Sequence, residues 1–330
     1  MKKWKIMPAL VLAVCMFVTL FGGNATTEAM TKVEPASYGT ISDFSSIEEN
    51  LTALQFTKTK KKIKAGKTYK FKVNKTGVTW SVSNKKLAKI SKKGVFTAKK
   101  CGSVKVSAAL GTEKVTFKVK ITPKAVIGID PGHQKSANTG TEPVGPGSST
   151  MKTKVAGGTY GNSSGLKEYE LTLQVSLKLK KELENRGYKV VMTRESHDVN
   201  ITNKERAEKL NESCDIAIRI HADGAGSSSA RGATALYPSS SNPYVGNLSA
   251  KSKTLSECVL GRYCESTGIK YRGLSARDDL TGTNWSTIPV TLIELGFMTN
   301  PSEDVYMANS ANQETMAEGI ANGVDDYFKK

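Results

Sequence analysis

Positive charge in this chain is concentrated in one segment. Residues 56–124 contain 21 lysines, no arginine and one acidic residue, Glu113. The rest of the 330-residue chain is close to neutral, although the whole sequence carries a formal net charge of +18. A cationic segment joined to a longer, neutral one predicts at least two folded domains, since the length exceeds that of one ordinary domain. With 38% hydrophobic residues, the chain is apolar enough to fill two cores.

The first 29 residues have the pattern of a secretory signal peptide. Three lysines among the first five residues precede an uncharged, mostly apolar run from Ile6 to Phe21, and small residues follow it. The run is 16 residues long, whereas a membrane-spanning helix needs ~20 residues. An uncleaved amino-terminal anchor is the alternative. We expect an exported protein with no stable membrane span after signal cleavage, and a polar linker over residues 30–55.

Short alternating runs in the basic segment predict β-strands. Apolar side chains alternate with lysines over residues 69–73 and 115–121, which is the period of a strand with one buried face. The elements W-S-V-S-N (80–84) and G-V-F-T-A (94–98) occur in order. On these elements the segment resembles the group 2 bacterial immunoglobulin-like domains. We therefore expect residues 56–124 to form a small all-β, immunoglobulin-like sandwich.

The lysines of this domain predict a polyanionic partner. A charge excess on so small a domain attracts polyanions in a salt-dependent way. Nucleic acid is not the expected partner, because the domain is exported and lacks arginine and clustered aromatic platforms. Anionic wall polymers, such as teichoic or teichuronic acids, fit the compartment, as do acidic phospholipid surfaces. A solvated surface without a partner is the remaining alternative.

From residue 125 the pattern changes to alternating strands and helices. Short apolar strands are predicted at 125–130, 188–193, 215–220 and 290–295. Helices are predicted between and after them, at 203–212, 252–267 and 312–328. The run 171–179 alternates like a strand, but we predict a helix because strong helix formers follow it and a crossover is needed there. Residues 125–330 are thus expected to form an α/β domain with a mainly parallel, twisted sheet flanked by helices.

Three residues with catalytic or ligating chemistry lie in or directly after these predicted strands. His133 follows the first strand, His221 ends another, and Glu294 lies in an otherwise apolar strand. Ligands of open α/β sheets bind beyond the carboxyl ends of the strands, so these side chains are expected to converge. A buried carboxylate needs a counter-charge, and two imidazoles with carboxylates suit zinc. The residues alone make a metal hydrolase the leading hypothesis and leave purely structural histidines as the alternative.

Five motifs in order make residues 125–330 similar to the zinc-dependent N-acetylmuramoyl-L-alanine amidases of the amidase-3 type. They are I-D-P-G-H (129–133), G-L-K-E (165–168), M-T-R (192–194), I-H-A-D (220–223) and I-E-L-G-F-M-T-N (293–300). The resemblance implies that His133, Glu168 and His221 bind one zinc ion and that Glu294 is the catalytic carboxylate. Glu170 is the competing ligand, but Glu168 matches the motif position.

The chain departs from the family pattern at three positions beside the implied ligands. Arg219 replaces a usual serine two residues before His221, Asp223 replaces a frequent asparagine, and Gln134 replaces a frequent glycine. None of the departures removes a ligand. They alter the residues that surround and orient the ligands.

The resemblance also implies a function. It is that of a peptidoglycan hydrolase that cleaves the amide between N-acetylmuramic acid and the L-alanine of the stem peptide, with zinc-activated water and Glu294 as general base and acid. The expected partner is peptidoglycan, and the expected location is outside the cell, associated with a bacterial wall of Gram-positive type. The alternatives are a zinc endopeptidase that cuts within the stem peptide, and a wall-binding or adhesion protein with an inactive hydrolase-like domain.

Overall fold

The computed structural model describes residues 53–330. The predicted signal peptide, and the predicted linker up to residue 52, lie outside the described residues. Within the described part, no helix is both long and apolar enough to cross a membrane.

The basic segment folds as a small β-sandwich of nine strands. The larger sheet has the order β2-β9-β8-β5, the smaller sheet has the order β3-β7-β6, and β1 pairs with β4. The strands are β1 Phe56–Lys58, β2 Lys62–Lys64, β3 Thr68–Lys70, β4 Lys72–Val73, β5 Thr79–Val82, β6 Ala88–Ile90, β7 Val95–Ala98, β8 Gly102–Leu110 and β9 Glu113–Thr122. Phe71, Phe96 and Val106 are buried between the sheets. This architecture confirms the predicted all-β sandwich.

The larger domain is built on a six-stranded sheet. Its order is β13-β10-β14-β17-β15-β16, and every neighbouring pair is parallel except β15 and β17. The strands of this domain, with the separate hairpin β11–β12, are β10 Val126–Pro131, β11 Asn138–Pro143, β12 Met151–Val155, β13 Lys189–Met192, β14 Ile216–Asp223, β15 Ala233–Tyr237, β16 Tyr271–Ala276 and β17 Val290–Phe297. The predicted α/β domain with a mainly parallel sheet is confirmed.

Helices cover this sheet. They are α1 Glu168–Asn185, α2 Asn203–Asn211, α3 Ser249–Thr267, α4 Thr281–Asn284, α5 Pro301–Ala308 and α6 Ser310–Tyr327. A Cβ on Gly323 of α6 would lie 2.5 Å from the Cα of Val259 in α3, so this close helix contact requires glycine. The run 171–179 is helical, as the helix formers after it predicted, and Leu171, Val175 and Leu179 are fully buried.

Several elements were not predicted from the sequence. The strands β15 and β16 extend the sheet beyond β17, and the hairpin β11–β12 occupies part of the glycine- and serine-rich segment between the first two motifs. Lys154 in the hairpin accepts a hydrogen bond on its backbone oxygen from Asn203 Nδ2 (2.6 Å). Glu142 accepts a bond from the backbone nitrogen of Lys204 (3.2 Å). These contacts fix the hairpin against the start of α2.

The two domains meet at the amino ends of β10 and β13. Gly187 has φ +89°, and a Cβ there would lie 2.8 Å from the Cβ of Ala65 in the smaller domain. Asp325 of α6 accepts hydrogen bonds from Lys124 Nζ (3.1 Å), Arg186 Nη1 (2.9 Å) and the Tyr188 hydroxyl (2.7 Å). The carboxyl ends of the strands therefore remain clear of the immunoglobulin-like domain.

Candidate active site

The turn after β10 presents His133. Its φ is +59°, the only positive φ of a non-glycine residue in the range 53–330. This left-handed conformation costs about 1–2 kcal/mol, and such strain is concentrated at functional sites. The ring Nδ1 lies 2.8 Å from the carbonyl oxygen of Ala156. Donation to that oxygen leaves Nε2 as the basic nitrogen, and Nε2 lies 3.0 Å from Glu168 Oε1.

His221 comes from the neighbouring strand, β14. Its Nδ1 lies 3.2 Å from Glu168 Oε1, and its Nε2 is buried without a hydrogen-bond partner among the described residues. The ring is packed against the turn before His133, because a Cβ on Gly132 would lie 2.5 Å from the ring Cε1. The two imidazole centroids are 4.8 Å apart.

Glu168 reaches both imidazoles from the first residue of α1. Its Oε2 accepts a bond from the backbone nitrogen of Thr159 (2.9 Å), and its Oε1 from that of Ala222 (3.1 Å). Burial raises the pKa of the Glu168 carboxyl, but hydrogen bonds from His133 and His221 outweigh burial and hold the pKa well below its usual range. The carboxylate form is therefore the one the site stabilises.

The three predicted ligands come together in a geometry that fits a metal ion. One ligand atom from each of His133, Glu168 and His221 lies within 4.8 Å of the other two. Two imidazoles and one carboxylate match a catalytic zinc site with an open position, and the orphaned His221 Nε2 is the kind of atom that a metal would satisfy. Glu170 is not part of this group, because its Oε2 accepts the backbone N–H of Lys167 (3.0 Å) and caps α1.

Glu294 lies beside this group on β17, in register with His221. The residue is half-buried, but its Oε2 is fully enclosed and has no partner among the described residues. Burial, followed by the negative charges of Glu168 and Asp223, raises the pKa of the Glu294 carboxyl well above its usual range. The side chain lines the same cavity of about 590 Å³ as the three ligands. It is therefore placed to exchange a proton with a group bound there.

A buried cluster of charges supports the His133 turn. Asp130 Oδ1 accepts from Arg206 Nη1 (2.8 Å), and Asp130 Oδ2 accepts from Arg219 Nε (2.8 Å). Arg206 also donates to the His133 carbonyl oxygen (2.9 Å), and Arg194 donates to that of Gly132 (2.9 Å). Arg194 belongs to the M-T-R motif, but sequence reasoning gave neither Arg194 nor Arg206 a role. The structure shows that they fix the backbone on both sides of the turn.

The fold and the site define an α/β domain with a group of two histidines and one carboxylate that could hold a metal ion at the carboxyl ends of its strands. The chain belongs to the N-acetylmuramoyl-L-alanine amidase family, whose model matches residues 127–326. Residues 50–122 match the bacterial Ig-like domain (group 2). The recognition made from the motifs is confirmed for both domains.

Relatives of the chain are similar to its larger domain. The N-acetylmuramoyl-L-alanine amidase Rv3717 of Mycobacterium tuberculosis is 30% identical over 214 residues, which are 62% of this chain and 86% of that protein. The probable cell wall amidase LytH of Staphylococcus saprophyticus is 27% identical over 61% of this chain and 58% of its own length. The crystal structure of the amidase Ami1 from Mycobacterium smegmatis superposes with a TM-score of 0.57 at 25% identity, covering 63% of this chain and 98% of that one.

Proposed function

We propose that the larger domain hydrolyses the amide between N-acetylmuramic acid and the L-alanine of the peptidoglycan stem peptide. In this proposal one zinc ion is held by His133, Glu168 and His221, and Glu294 transfers the proton. The observation that carries it is the shared cavity, where three ligand atoms lie within 4.8 Å of one another. Beside them lies the enclosed Oε2 of Glu294, which has no hydrogen-bond partner among residues 53–330. Membership of the amidase family supports the bond assignment.

A bound zinc ion supplies Lewis-acid chemistry, which polarises a carbonyl and lets water attack at neutral pH. Glu294 takes a proton from the attacking water at Oε2. Its protonated carboxyl holds that proton until the carbon–nitrogen bond breaks. Glu294 then gives the proton to the departing amine of L-alanine, and the muramoyl lactyl group leaves as a carboxylic acid. The carbonyl of Ala156 orients the His133 ring throughout.

The test is digestion of purified muropeptides by the Glu294→Gln variant, followed by mass analysis of the products. We expect the variant to keep its bound zinc and to lose about 10²- to 10⁴-fold in turnover, the usual contribution of a general base and acid. Glu170→Gln is the matched control, because it makes the same chemical change in a residue outside the ligand group. His133→Ala should instead lose bound metal.

Three outcomes of these measurements would contradict the proposal. Retained turnover by Glu294→Gln would remove its catalytic role. Cleavage within the stem peptide, without release of free muramoyl lactyl groups, would make the protein a zinc endopeptidase. A purified protein that binds no zinc and cleaves neither bond would favour the binding or adhesion alternative.

For the immunoglobulin-like domain we propose attachment to anionic wall polymers outside the cell. Six exposed lysines, here called the lysine face, lie on one side of β2, β9 and β8: Lys62, Lys64, Lys105, Lys114, Lys118 and Lys120. Lys105 is directly opposite Lys118 across the antiparallel pair, and Lys62 is in register with Lys120. Like charges in such positions destabilise a sheet. The lysine face carries such like-charged pairs despite their cost in stability, and this clustered positive charge is suited to binding a polyanionic ligand.

The variant Lys118→Glu separates binding from folding. The new glutamate lies directly opposite Lys105, and opposite charges in such a pair stabilise a sheet, so the domain should become more stable. Binding to polymer-bearing walls should weaken. Lys251→Glu makes the same charge change on the exposed surface of α3 and serves as the control. Added salt should also release the protein from walls while changing cleavage of soluble muropeptides much less. Unchanged binding after extraction of the anionic polymers would contradict the proposal.

A further inference from the structure

Arg219 is a buried arginine with one nitrogen left uncommitted. The residue is 5% exposed, its Nε donates to Asp130 Oδ2 (2.8 Å) and its Nη2 donates to Asn203 Oδ1 (2.8 Å). Its Nη1 makes no hydrogen bond within residues 53–330. By contrast, Arg194 and Arg206 use every side-chain nitrogen in hydrogen bonds to the protein. Arg219 therefore differs from its two neighbours in retaining a donor for a ligand.

The cluster around Asp130 has an excess of buried positive charge. Arg194, Arg206 and Arg219 are each at least 95% buried, and Asp130 is the only carboxylate within ion-pair distance of any of them in the described part of the chain. A buried charge without a counter-charge is costly. An anion that reached Nη1 of Arg219 would offset part of that cost.

A cavity beside the active site is lined by Arg219. It has a volume of about 250 Å³ and shares His133 and His221 with the active-site cavity. Gly282 of α4 also lines it and lies against Nη1 of Arg219, where any Cβ would overlap the guanidinium. Lys152 on the rim already pairs with Asp279 (3.2 Å). Arg219 is thus the cation of this cavity that still lacks a full counter-charge.

We propose that Arg219 binds the α-carboxylate of the second stem residue, an iso-linked glutamate, and so selects it over the amidated form. The inference rests on the proposed function, because it places the scissile amide at His133 and His221. One residue spans about 3.3–3.6 Å, so a carboxylate next to L-alanine lies within reach of a cavity bordered by both histidines. The serine usual in the family at position 219 carries no charge, which makes this preference a property of the present chain.

The test compares two synthetic substrates with zinc-loaded protein: N-acetylmuramoyl-L-alanyl-D-isoglutamate and its isoglutamine counterpart. We expect kcat/KM to favour the carboxylate about 10- to 100-fold, the value of one charge-assisted hydrogen bond. Arg219→Met should bring the ratio close to one, and Arg219→Lys should restore part of it. The ratio is internal to each preparation, so a smaller folded fraction does not change it. Arg262→Met, an exposed arginine of α3, should leave the ratio unchanged.

A binding measurement separates this inference from the proposed reaction. The two free dipeptides, L-alanyl-D-isoglutamate and L-alanyl-D-isoglutamine, are titrated into the protein by calorimetry, which requires no turnover. Tighter binding of the carboxylate that is lost in Arg219→Met supports the site even if neither substrate is cleaved. A wild-type ratio near one in both assays, or a preference that persists in Arg219→Met, overturns it.

Discussion

Replacing Asp130 by asparagine tests whether the buried charge cluster holds the site together. Asp130 is 1% exposed and accepts 2.8 Å bonds from both Arg206 and Arg219, as well as a 2.6 Å bond from Thr193 Oγ1. Asparagine keeps the shape but removes the charge, so two buried guanidinium groups lose their counter-charge. Breaking a buried ion pair in this way costs about 3–5 kcal/mol. For a domain of this size the loss corresponds to a fall in Tm of about 6–20 °C.

The pH dependence of this loss identifies its source. Burial raises the pKa of the Asp130 carboxyl, but Arg206 and Arg219 outweigh burial and hold that pKa well below its usual range. Because the pKa is lower in the folded state, the stabilisation is complete above the unfolded-state pKa of about 3.9 and is lost as the pH falls towards the folded-state pKa. The wild-type and Asp130→Asn proteins should therefore differ by a constant amount between about pH 5 and pH 7, and converge in stronger acid.

The assay is urea unfolding followed by circular dichroism at several pH values, with chelator present so that metal binding does not contribute. Glu314→Gln is the control, since Glu314 is an exposed partner of Lys178 (3.0 Å) and such pairs contribute about 0–1 kcal/mol. A loss below about 1 kcal/mol for Asp130→Asn at pH 7 would refute the argument. So would a loss that stays the same down to pH 3.

Two further substitutions test a contact beside the site, and one chemical probe tests the shielded thiol of Cys264 in α3. Gly132→Ala should lower zinc affinity by about 10- to 100-fold with the fold retained, because the added Cβ would lie 2.5 Å from the His221 ring. Gly157→Ala is the control, since a Cβ at that position would have no atom within 4 Å. Equal zinc affinity in both variants, measured by competition with a chelating dye, would contradict this contact. Burial and the charge of Glu303 raise the pKa of the Cys264 thiol to about 11, so its alkylation by iodoacetamide should be slow at pH 8 and accelerate about tenfold per pH unit. Rapid alkylation at pH 8 would show that the thiol is not shielded.

The central strands could be predicted because they are short apolar runs buried on both faces. β10, β14 and β17 are of this type, with Ile129, Ile218 and Ile293 fully buried. β16 was missed since most of its side chains are partly or fully exposed and Gly273 interrupts it. The hairpin β11–β12 was missed because its strands are polar and are fixed by contacts with the distant helix α2. Local pattern carries no information about such contacts.

For the site, too, some residues could be found from local sequence pattern and others depend on contacts made only in the folded chain. The rule that ligands bind at strand ends brought His133, His221 and Glu294 together from the sequence alone, and the structure does place them around one cavity. Glu168 could not be found by that rule, because it lies at the start of a helix. It was implied only by the family motif. The uncommitted nitrogen of Arg219 depends on which partners its other nitrogens find, and only the folded chain determines that.

The roles proposed for the exposed lysines and for the buried Arg219 differ in how strongly salt affects them. The lysines of the small domain face solvent, where ions screen their attraction for a polyanion over about 10 Å. Arg219 is 5% exposed, and buried charges are screened much less. The two groups also lie at opposite ends of the sheet, since the small domain docks at the amino ends of β10 and β13 and the cavity opens at the carboxyl ends. We therefore expect salt to weaken the proposed attachment to wall polymers without weakening the proposed recognition of the stem peptide by Arg219.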